Sequence, residues 1–476
     1  MKFHIFLALF LSFLGYSAEL SAQDPLSEID NYLTQLVKDG KFSGRVFVSM
    51  KGVELSRGYG RTRFPDGAMP EDTTTFKVGS ITKQVTGFAI LDMVDRKLLQ
   101  LDDPVAKFFP EVDSRIFTED GRSVTIQDLL THRSGLPDVS GLAYHWGSPV
   151  RFSYFLKCLE WISDRNRPGA VHQYSNFNFL MLGEIIKRVS GQPFDEYVKE
   201  QYFTTLGMAS TGMTFQDPSR RAYGHNTIHG KLFPSDEVND FHIHGTYDWP
   251  QASDGGLVST VSDMKIWVDY LSSRKQGDFA RYASLWSERG YFAGLVNIGT
   301  EQKPVYWHNG ALSPIGYTAD LVFDREGHRI IVLGNVNTGE QIPNLANHIY
   351  RFLEKGSPLP DLPSFHSQSA LMSLILSRIK FGLLMSAVCM LLLFRKRNQP
   401  NFALTTYGYF SSGILANSFG IQKFESLLAL AAMAVFWLFI LWRRQAPHER
   451  DSLSIKSFIG PTLSLIAGLL LIHSRL

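Results

Sequence analysis

The sequence predicts an α/β (α+β) domain in which an antiparallel sheet is flanked by helices and joined by a helical lobe. It also predicts a C-terminal transmembrane helical region. Three observations indicate this: two β-hairpin patterns far apart in the chain, helical periodicity between them, and long apolar stretches at the chain ends. The chain has 476 residues, 44% hydrophobic and 19% charged, with two cysteines. These values exclude a disordered protein and a disulfide-stabilised scaffold.

The first 22 residues have the layout of a secretory signal peptide. Lys2 is followed by an apolar run from residue 5 to residue 14, and the segment closes on small residues up to Ala22. This arrangement is typical of a cleaved export signal. An uncleaved membrane anchor is the alternative, although the apolar run is short for a bilayer-spanning helix. Either interpretation places the following segment outside the cytoplasm.

The segment from residue 24 to residue 355 carries the patterns of the folded domain. Residues 44–50 and 53–59 flank a two-residue Lys-Gly turn, and residues 317–323 and 328–336 flank a second turn, so both pairs are predicted hairpins. Helical periodicity covers residues 81–97, 178–189 and 342–353. Strands near both ends with helices between them predict one sheet completed by distant segments. Residues 356–370 are rich in proline and are interpreted as a linker.

The tail, residues 371–474, is predicted to form a transmembrane region. Four apolar stretches are candidates for membrane helices, at residues 371–394, 401–421, 425–442 and 457–473. Residues 371–476 contain 11 Lys and Arg against 3 Asp and Glu, whereas residues 1–370 contain 36 against 42. The basic character therefore belongs to the tail. A nucleic-acid partner is not expected, because the folded part is acidic.

The basic clusters of the tail favour four spans over three. With an exported domain, the first span places the cluster at residues 395–397 in the cytoplasm. Counting residues 401–421 as a span also places Arg443 and Arg444 there, in agreement with the positive-inside rule, whereas three spans would place them outside. We therefore expect a multi-pass protein of the cell (inner) membrane, with its domain on the periplasmic or extracytoplasmic side and the lipid bilayer as a partner.

Ser80 and Lys83 are the first candidates for chemistry. They lie three residues apart at the start of an apolar helical pattern, so both side chains occupy one helix face. A serine hydroxyl becomes nucleophilic when a neighbour takes its proton, and a lysine held beside it can assist. The alternative is that Ser80 only caps the helix. The spacing of Ser80 and Lys83 by itself is compatible with both interpretations.

Two later segments add candidates. Tyr174 precedes the helical pattern that follows Asn176, where its phenol could assist proton transfer beside a cation, although a half-buried structural tyrosine is the alternative. The run Trp307-His308-Asn309-Gly310-Ala311 comes before the second hairpin and suits an edge strand that lines a site. The glycine there would allow a substrate backbone to lie close.

Taken together, Ser80-x-x-Lys83, Tyr174-x-Asn176 and His308-x-Gly310, in this order, resemble the serine β-lactamase and penicillin-binding-protein superfamily. The branch most similar contains class C β-lactamases, D-aminopeptidases and related esterases, and the resemblance covers residues 30–355 but not the tail. It implies a β-lactamase-like fold for the domain. It also implies that Ser80 is the nucleophile, that Lys83 and Tyr174 share proton transfer, and that Asn176 orients Lys83 and the substrate amide. The backbone N–H groups of Ser80 and Ala311 would form the oxyanion hole, with His308 and Gly310 contacting the substrate.

The third motif departs from the family pattern. β-Lactamases and penicillin-binding proteins usually have lysine where this chain has His308. Histidine is mostly neutral at pH 7 and holds a carboxylate less firmly, while it can still donate a hydrogen bond. We therefore expect a serine hydrolase acting on peptide, amide or ester bonds of a small-molecule or peptide substrate, with peptidoglycan-derived compounds among the candidates. A penicillin-recognising receptor or peptidoglycan-binding module with little turnover, and a true β-lactamase, are the alternatives.

Other histidines and cysteines are not assigned to the site. His225, His229, His242 and His244 have ligand-like spacings, but their surroundings have the character of loops and the serine chemistry needs no metal or other cofactor. His132, in the segment Thr-His-Arg-Ser-Gly, is interpreted as structural. Cys158 is interpreted as a core residue.

Overall fold

The computed structural model describes residues 24–140, 152–162, 165–228, 231–234, 252–273, 282, 285–286, 290–312, 315–337 and 344–360. The predicted signal peptide and the four predicted membrane spans lie outside these ranges. Among the described residues, no helix combines the length and apolar character needed to cross a bilayer.

The described strands, in chain order, are β1 (Gly44–Met50), β2 (Val53–Tyr59), β3 (Phe76–Lys77), β4 (Thr118–Glu119), β5 (Arg122–Ser123), β6 (His225–Ile228), β7 (Lys231–Pro234), β8 (Val258–Ser259), β9 (Tyr291–Phe292), β10 (Leu295–Asn297), β11 (Val305–Leu312), β12 (Tyr317–Asp324), β13 (Arg329–Gly334) and β14 (Val336–Asn337). The α-helices are α1 (Pro25–Lys38), α2 (Thr82–Asp95), α3 (Ile126–Leu130), α4 (Phe152–Trp161), α5 (Asn176–Ser190), α6 (Phe194–Val198), α7 (Ala252–Gly255), α8 (Val261–Ser273) and α9 (Leu345–Lys355).

The chain divides into two compact units. The first contains the described residues up to Asp92, those within Asp195–Pro234, and those from Gly255 onward. The second contains Met93–Phe194 and the described residues of Ser235–Asp254. Each unit has buried apolar side chains of its own.

A seven-stranded antiparallel sheet organises the first unit, with strand order β2-β1-β13-β12-β11-β10-β9. Both predicted hairpins are confirmed. β1 pairs with β2 up to Met50 opposite Val53, and the turn between them uses positive φ angles at Lys51 and Gly52, as a two-residue hairpin requires. β12 pairs with β13 from Thr318 onward. Distant segments therefore complete one sheet, as the sequence predicts.

The second hairpin is shorter than its sequence pattern. β13 ends at Gly334, and Val336 belongs to β14, which pairs in parallel with β6 in a separate three-stranded sheet. Asn335 lies between them, and its backbone N–H donates to the carbonyl of Ser43 at 2.9 Å. The strand-like sequence pattern extends to Val336, so it could not reveal the change of sheet.

One face of the large sheet is covered by α1 and α9. Ile29, Leu33 and Leu36 of α1 lie on one helix face and are buried against the sheet, and Ile349 of α9 joins the same core. Burial of each such side chain contributes about 1.5–3 kcal/mol. On the opposite face α8 packs over β1, β12 and β13, with Lys265 lying 4.7 Å from the ring centre of Phe47. The sheet is thus enclosed on both sides.

The second unit is mainly helical. Its core contains an aromatic cluster in which Phe152 of α4 stacks on Phe109 and on Phe177 of α5. The short helix α3 begins with a capping box, in which the Thr125 hydroxyl and the Asp128 carboxylate accept from each other's backbone N–H groups. Cys158 is buried here, which confirms its interpretation as a core residue.

Candidate active site

Ser80 lies in a single 3₁₀ turn, Gly79–Ile81, directly before α2. Gly79 has a φ of +53°, a left-handed conformation that glycine adopts without steric cost. The Thr82 hydroxyl donates to the Gly79 carbonyl at 2.7 Å and accepts from the Leu257 backbone N–H at 3.1 Å. These bonds fix the turn, so the position of Ser80 is determined by its flanking residues.

Lys83 is fully buried, with its Nζ 3.0 Å from Ser80 Oγ. The predicted contact between the two side chains is therefore present. Because the ammonium donates to Ser80 Oγ, the serine hydroxyl hydrogen must point toward a different acceptor. The Lys83 side chain thus fixes the position of Ser80 Oγ.

The backbone of β11 passes close to the Ser80 turn. A Cβ added at Gly310 would lie 2.1 Å from the Val78 carbonyl oxygen and 2.9 Å from the Ser80 nitrogen. A Cβ at Gly79 would lie 3.2 Å from the Ala311 nitrogen. Only glycine fits at position 310. The close approach of the two backbones places the amide nitrogens of Ser80 and Ala311 near each other. Such a pair of N–H groups is the arrangement that can bind an oxyanion.

The environment of β11 differs from the predicted edge strand. β11 lies between β12 and β10, but β10 pairs only with Tyr306 and Trp307. In the described part of the chain, residues 308–312 have a sheet partner on the β12 side alone. On this described half of β11, which carries His308, Gly310 and Ala311, the recorded sheet pairing is with β12.

His308 is buried, and its Nδ1 lies 2.6 Å from the Asn309 carbonyl oxygen. A carbonyl only accepts, so Nδ1 carries the proton and Nε2 of the neutral ring is an acceptor. Burial of the ring, with a smaller effect of the Lys83 charge, lowers the pKa of His308 to about 3. The sequence predicted a neutral histidine that donates to a ligand. In the structure the ring is neutral, as predicted, but the Nδ1 proton is donated to the Asn309 carbonyl and not to a ligand.

Tyr174 and Asn176 lie in the second unit, at the start of α5 as predicted. The Tyr174 side chain is exposed to 42%, and its ring centre lies 4.3 Å from that of His132. The Asn176 backbone N–H donates to Asp138 Oδ2 at 3.0 Å. The structure thus brings Ser80, Lys83, His308, Gly310 and Ala311 together in the first unit and places Tyr174 and Asn176 in the other.

The sequence missed a group of polar residues that support Tyr174 and Asn176. Asp138, Ser134 and Asn178 all bond to the segment that carries these two residues or to its neighbours. No spacing in the sequence links residues 134–138 with residues 174–178, because the pairing depends on the fold. The only local signal is Pro137-Asp138, which is typical of a turn.

Of the four histidines weighed as metal ligands, only His225 is described. It is buried, and its Nε2 accepts from the Phe64 backbone N–H at 3.2 Å. His229, His242 and His244 lie outside the described residues. The described His225 therefore has a structural contact.

Comparisons with known proteins agree with the fold. A model of the β-lactamase family matches residues 29–350, and the chain belongs to this family. Its members are serine hydrolases that act on amide or ester bonds. Protein flp of Staphylococcus aureus strain MW2 is 25% identical over 339 residues, which span 68% of this chain and 66% of that protein. The chain thus covers slightly less than two thirds of this relative.

Solved structures show the same fold. A penicillin-binding protein homologue from Pyrococcus abyssi, described as octameric, has a TM-score of 0.56 at 22% identity and covers 69% of this chain and 76% of its own. D-amino acid amidase from Ochrobactrum anthropi, complexed with D-phenylalanine, has a TM-score of 0.55 at 19% identity, with coverage of 70% and 98%. At these identities the likeness concerns the fold alone.

Proposed function

We propose that this protein is a membrane-anchored, exported serine hydrolase that cleaves peptide, amide or ester bonds through an acyl-enzyme on Ser80. The observation that carries the proposal is the buried Lys83 ammonium at 3.0 Å from Ser80 Oγ, beside the close approach of Gly310 and Ala311. A serine that only capped the helix would need neither the buried cation nor the adjacent strand backbone.

The proposed reaction begins with attack of Ser80 Oγ on the substrate carbonyl carbon. The hydroxyl proton leaves toward Tyr174, which shares proton transfer with Lys83 in the assignment that the family resemblance implies. The carbonyl electrons move to oxygen, and the backbone N–H groups of Ser80 and Ala311 stabilise this oxyanion. The leaving amine or alcohol takes the proton as the bond to carbon breaks. Water then attacks the acyl carbon, the bond from this carbon to Ser80 Oγ breaks, and a proton from the water returns to Oγ as the acid leaves.

The remaining residues would act on the substrate. Asn176 would orient Lys83 and the substrate amide, while His308 and Gly310 would border the acyl group along residues 308–312 of β11. No metal or other cofactor takes part in this scheme. The proton transfers use only side chains of the protein.

His308 favours an amidase, peptidase or esterase over an efficient β-lactamase. A lysine at this position would be cationic at neutral pH, whereas His308 is neutral because burial lowers its pKa to about 3. A substrate carboxylate therefore gains no ion pair from it. Peptidoglycan-derived peptides remain candidate substrates.

The signal peptide and the apolar tail support the proposed location. Export through residues 1–22 and anchoring through residues 371–474 would hold the domain at the outer face of the inner membrane, joined through the linker at 356–370. The alternative in which the domain is a penicillin-recognising receptor predicts a stable acyl adduct on Ser80 with little turnover.

The decisive experiment compares the native chain with Ser80→Ala. Both are treated with an alkyl fluorophosphonate and with a fluorescent penicillin, and hydrolysis of simple esters and of a chromogenic cephalosporin is followed in parallel. We expect labelling by the fluorophosphonate that requires Ser80, with ester turnover well above cephalosporin turnover. Equal labelling of Ser80→Ala would overturn the assignment, and a Ser80 adduct without turnover would favour the receptor.

A further inference from the structure

His132 lies beneath Tyr174 in a buried polar cluster of the second unit. We propose that His132 is a positioning residue for Tyr174, fixing the loop and the ring plane of the tyrosine and so determining where its phenol can exchange a proton. This inference rests on the proposed function of Tyr174. It replaces the interpretation of His132 as a residue of structure alone.

His132 bonds to both chain neighbours of Tyr174. Its carbonyl accepts from the Gln173 backbone N–H at 2.7 Å, and its Nδ1 accepts from the Ser175 backbone N–H at 3.2 Å. Its ring centre lies 4.3 Å from that of Tyr174, with the planes tilted by 41°. One residue thus contacts the tyrosine through its ring and through the backbone on each side.

A second set of bonds determines which nitrogen of His132 carries the proton. The Ser134 hydroxyl donates to Asn178 Oδ1 at 2.7 Å, so the Asn178 amide nitrogen faces His132 Nδ1 at 3.3 Å. Both this amide and the Ser175 N–H can only donate to Nδ1. Nδ1 is therefore unprotonated and the proton of the neutral ring is on Nε2. A protonated Nδ1 would oppose both donors.

The backbone of His132 is left-handed, with a φ of +55°. Residues with a Cβ rarely adopt this conformation, although histidine, asparagine and aspartate do so more often than others. Glycine would satisfy the backbone without strain, but it could not provide the acceptor for Ser175 or the ring against Tyr174. The position therefore requires a left-handed backbone and a side-chain acceptor together.

His132 itself does not reach a substrate, because it is fully buried. Its other aromatic neighbours are Phe179 and His172, and the latter donates from Nδ1 to the Thr131 carbonyl at 3.0 Å. The exposed member of the cluster is Tyr174. Any effect of His132 on the reaction must therefore pass through the tyrosine and its loop.

The test compares His132→Gly with His132→Asn, each alone and combined with Tyr174→Phe, in the full-length protein. Glycine relieves the backbone strain but removes ring and acceptor. Asparagine tolerates the left-handed backbone and restores an acceptor, its Oδ1, near the position of Nδ1. Ester hydrolysis is measured per active site, counted with the alkyl fluorophosphonate, and thermal unfolding reports folding.

We expect His132→Gly to lower kcat by roughly 10²-fold with little change in KM, the effect of a misplaced proton-transfer group. His132→Asn should stay within about fivefold of the native kcat because the bond to Ser175 is kept. In the Tyr174→Phe background, His132→Gly should change kcat by less than about threefold, since the two residues act as one unit. If His132→Gly does not fold, Ser134→Ala should show the same pattern with a smaller loss.

Two results would overturn the inference. One is an equal loss of kcat in His132→Gly and His132→Asn. The other is a fold-loss of kcat from His132→Gly that is as large in the Tyr174→Phe background as in the native protein, which would mean that His132 acts elsewhere. Failure of the proposed function looks different: the native protein would then show no hydrolysis dependent on Ser80, and the comparison of His132 variants would have no Ser80-dependent rate to change.

Discussion

The hydrogen bond from Lys83 to Ser80 determines the direction in which the serine proton can leave. Since Oγ accepts from Nζ at 3.0 Å, its own hydrogen is directed to another base. In the proposed reaction, Lys83 would hold and polarise Ser80 and share proton transfer with Tyr174. The position of Tyr174 therefore matters for the proposal at the residue scale.

Gly310 provides a residue-scale test of the strand backbone beside Ser80. Gly310→Ala would place a Cβ 2.1 Å from the Val78 carbonyl oxygen, so β11 must move away from the Ser80 amide. We expect kcat to fall by at least roughly 10²-fold and stability to fall by about 1–3 kcal/mol. Ester hydrolysis per folded molecule and urea unfolding measure the two effects.

The matched control is Gly255→Ala, whose added Cβ would come no nearer than 3.8 Å to Gly79. This is ordinary van der Waals distance, so activity should stay within a few-fold of native. Equal losses in the two variants would show that the close approach of Gly310 is not the cause.

His308 predicts a pH dependence of stability. Its folded-state pKa of about 3 lies below the ordinary value of 6.5, so the unfolded chain binds a proton that the folded chain does not. The contribution of His308 to the free energy of unfolding is complete above pH 6.5 and is lost as the pH falls toward 3. At pH 4 the native chain should have lost roughly 3 kcal/mol through this residue.

His308→Asn removes the titrating ring. The fall in unfolding free energy between pH 7 and pH 4, measured by urea titration, should be smaller in this variant than in the native protein. Identical falls would contradict the lowered pKa. The native protein at pH 7 and pH 8 serves as the control, because His308 is neutral at both values.

At the scale of elements, Asp320 of β12 connects two elements of the first unit. One carboxylate oxygen accepts from the Trp307 indole N–H of β11 at 2.7 Å, and the other accepts from the Ala346 N–H in the first turn of α9 at 2.7 Å. Burial raises the pKa of Asp320, while these donors oppose that shift by favouring the charged form. The carboxylate thus fixes the start of the helix to the sheet.

Asp320→Asn should destabilise the protein by about 1–3 kcal/mol, because one of the two oxygens becomes an NH₂ group that faces a donor. Urea unfolding measures the change. Asp102→Asn, at an exposed position, is the matched control and should have an effect below about 0.5 kcal/mol. A native-like stability of Asp320→Asn would contradict this role of the carboxylate.

At the scale of the whole molecule, the tail carries a prediction about topology. Four spans place residues 443–456 in the cytoplasm, where the positive-inside rule expects Arg443 and Arg444, whereas three spans would place this segment outside. We expect this segment to be protected from protease added to spheroplasts, while the domain is cleaved. Cleavage at 443–456 from the outside would contradict four spans, and lysed cells provide the control.

Local patterns predicted much of the fold. The Lys51-Gly52 hairpin, the second hairpin and the three periodic helices agree with the structure within a few residues, because turn chemistry and hydrophobic periodicity act over short distances. The end of β13 at Gly334 was missed, since the change to a second sheet depends on the partner strand β6. Positions of strand ends therefore needed the tertiary structure.

The sequence by itself determined the candidates for the chemistry: the spacing of Ser80 and Lys83 places them on one helix face wherever the helix lies. Only the tertiary structure decided the environments. The steric need for Gly310, the lowered pKa of His308 and the bonds of His132 around Tyr174 all arise from segments distant in the chain. Side-chain spacing is set by local geometry, whereas burial, charge and close approach are set by whatever the folded chain packs against each residue.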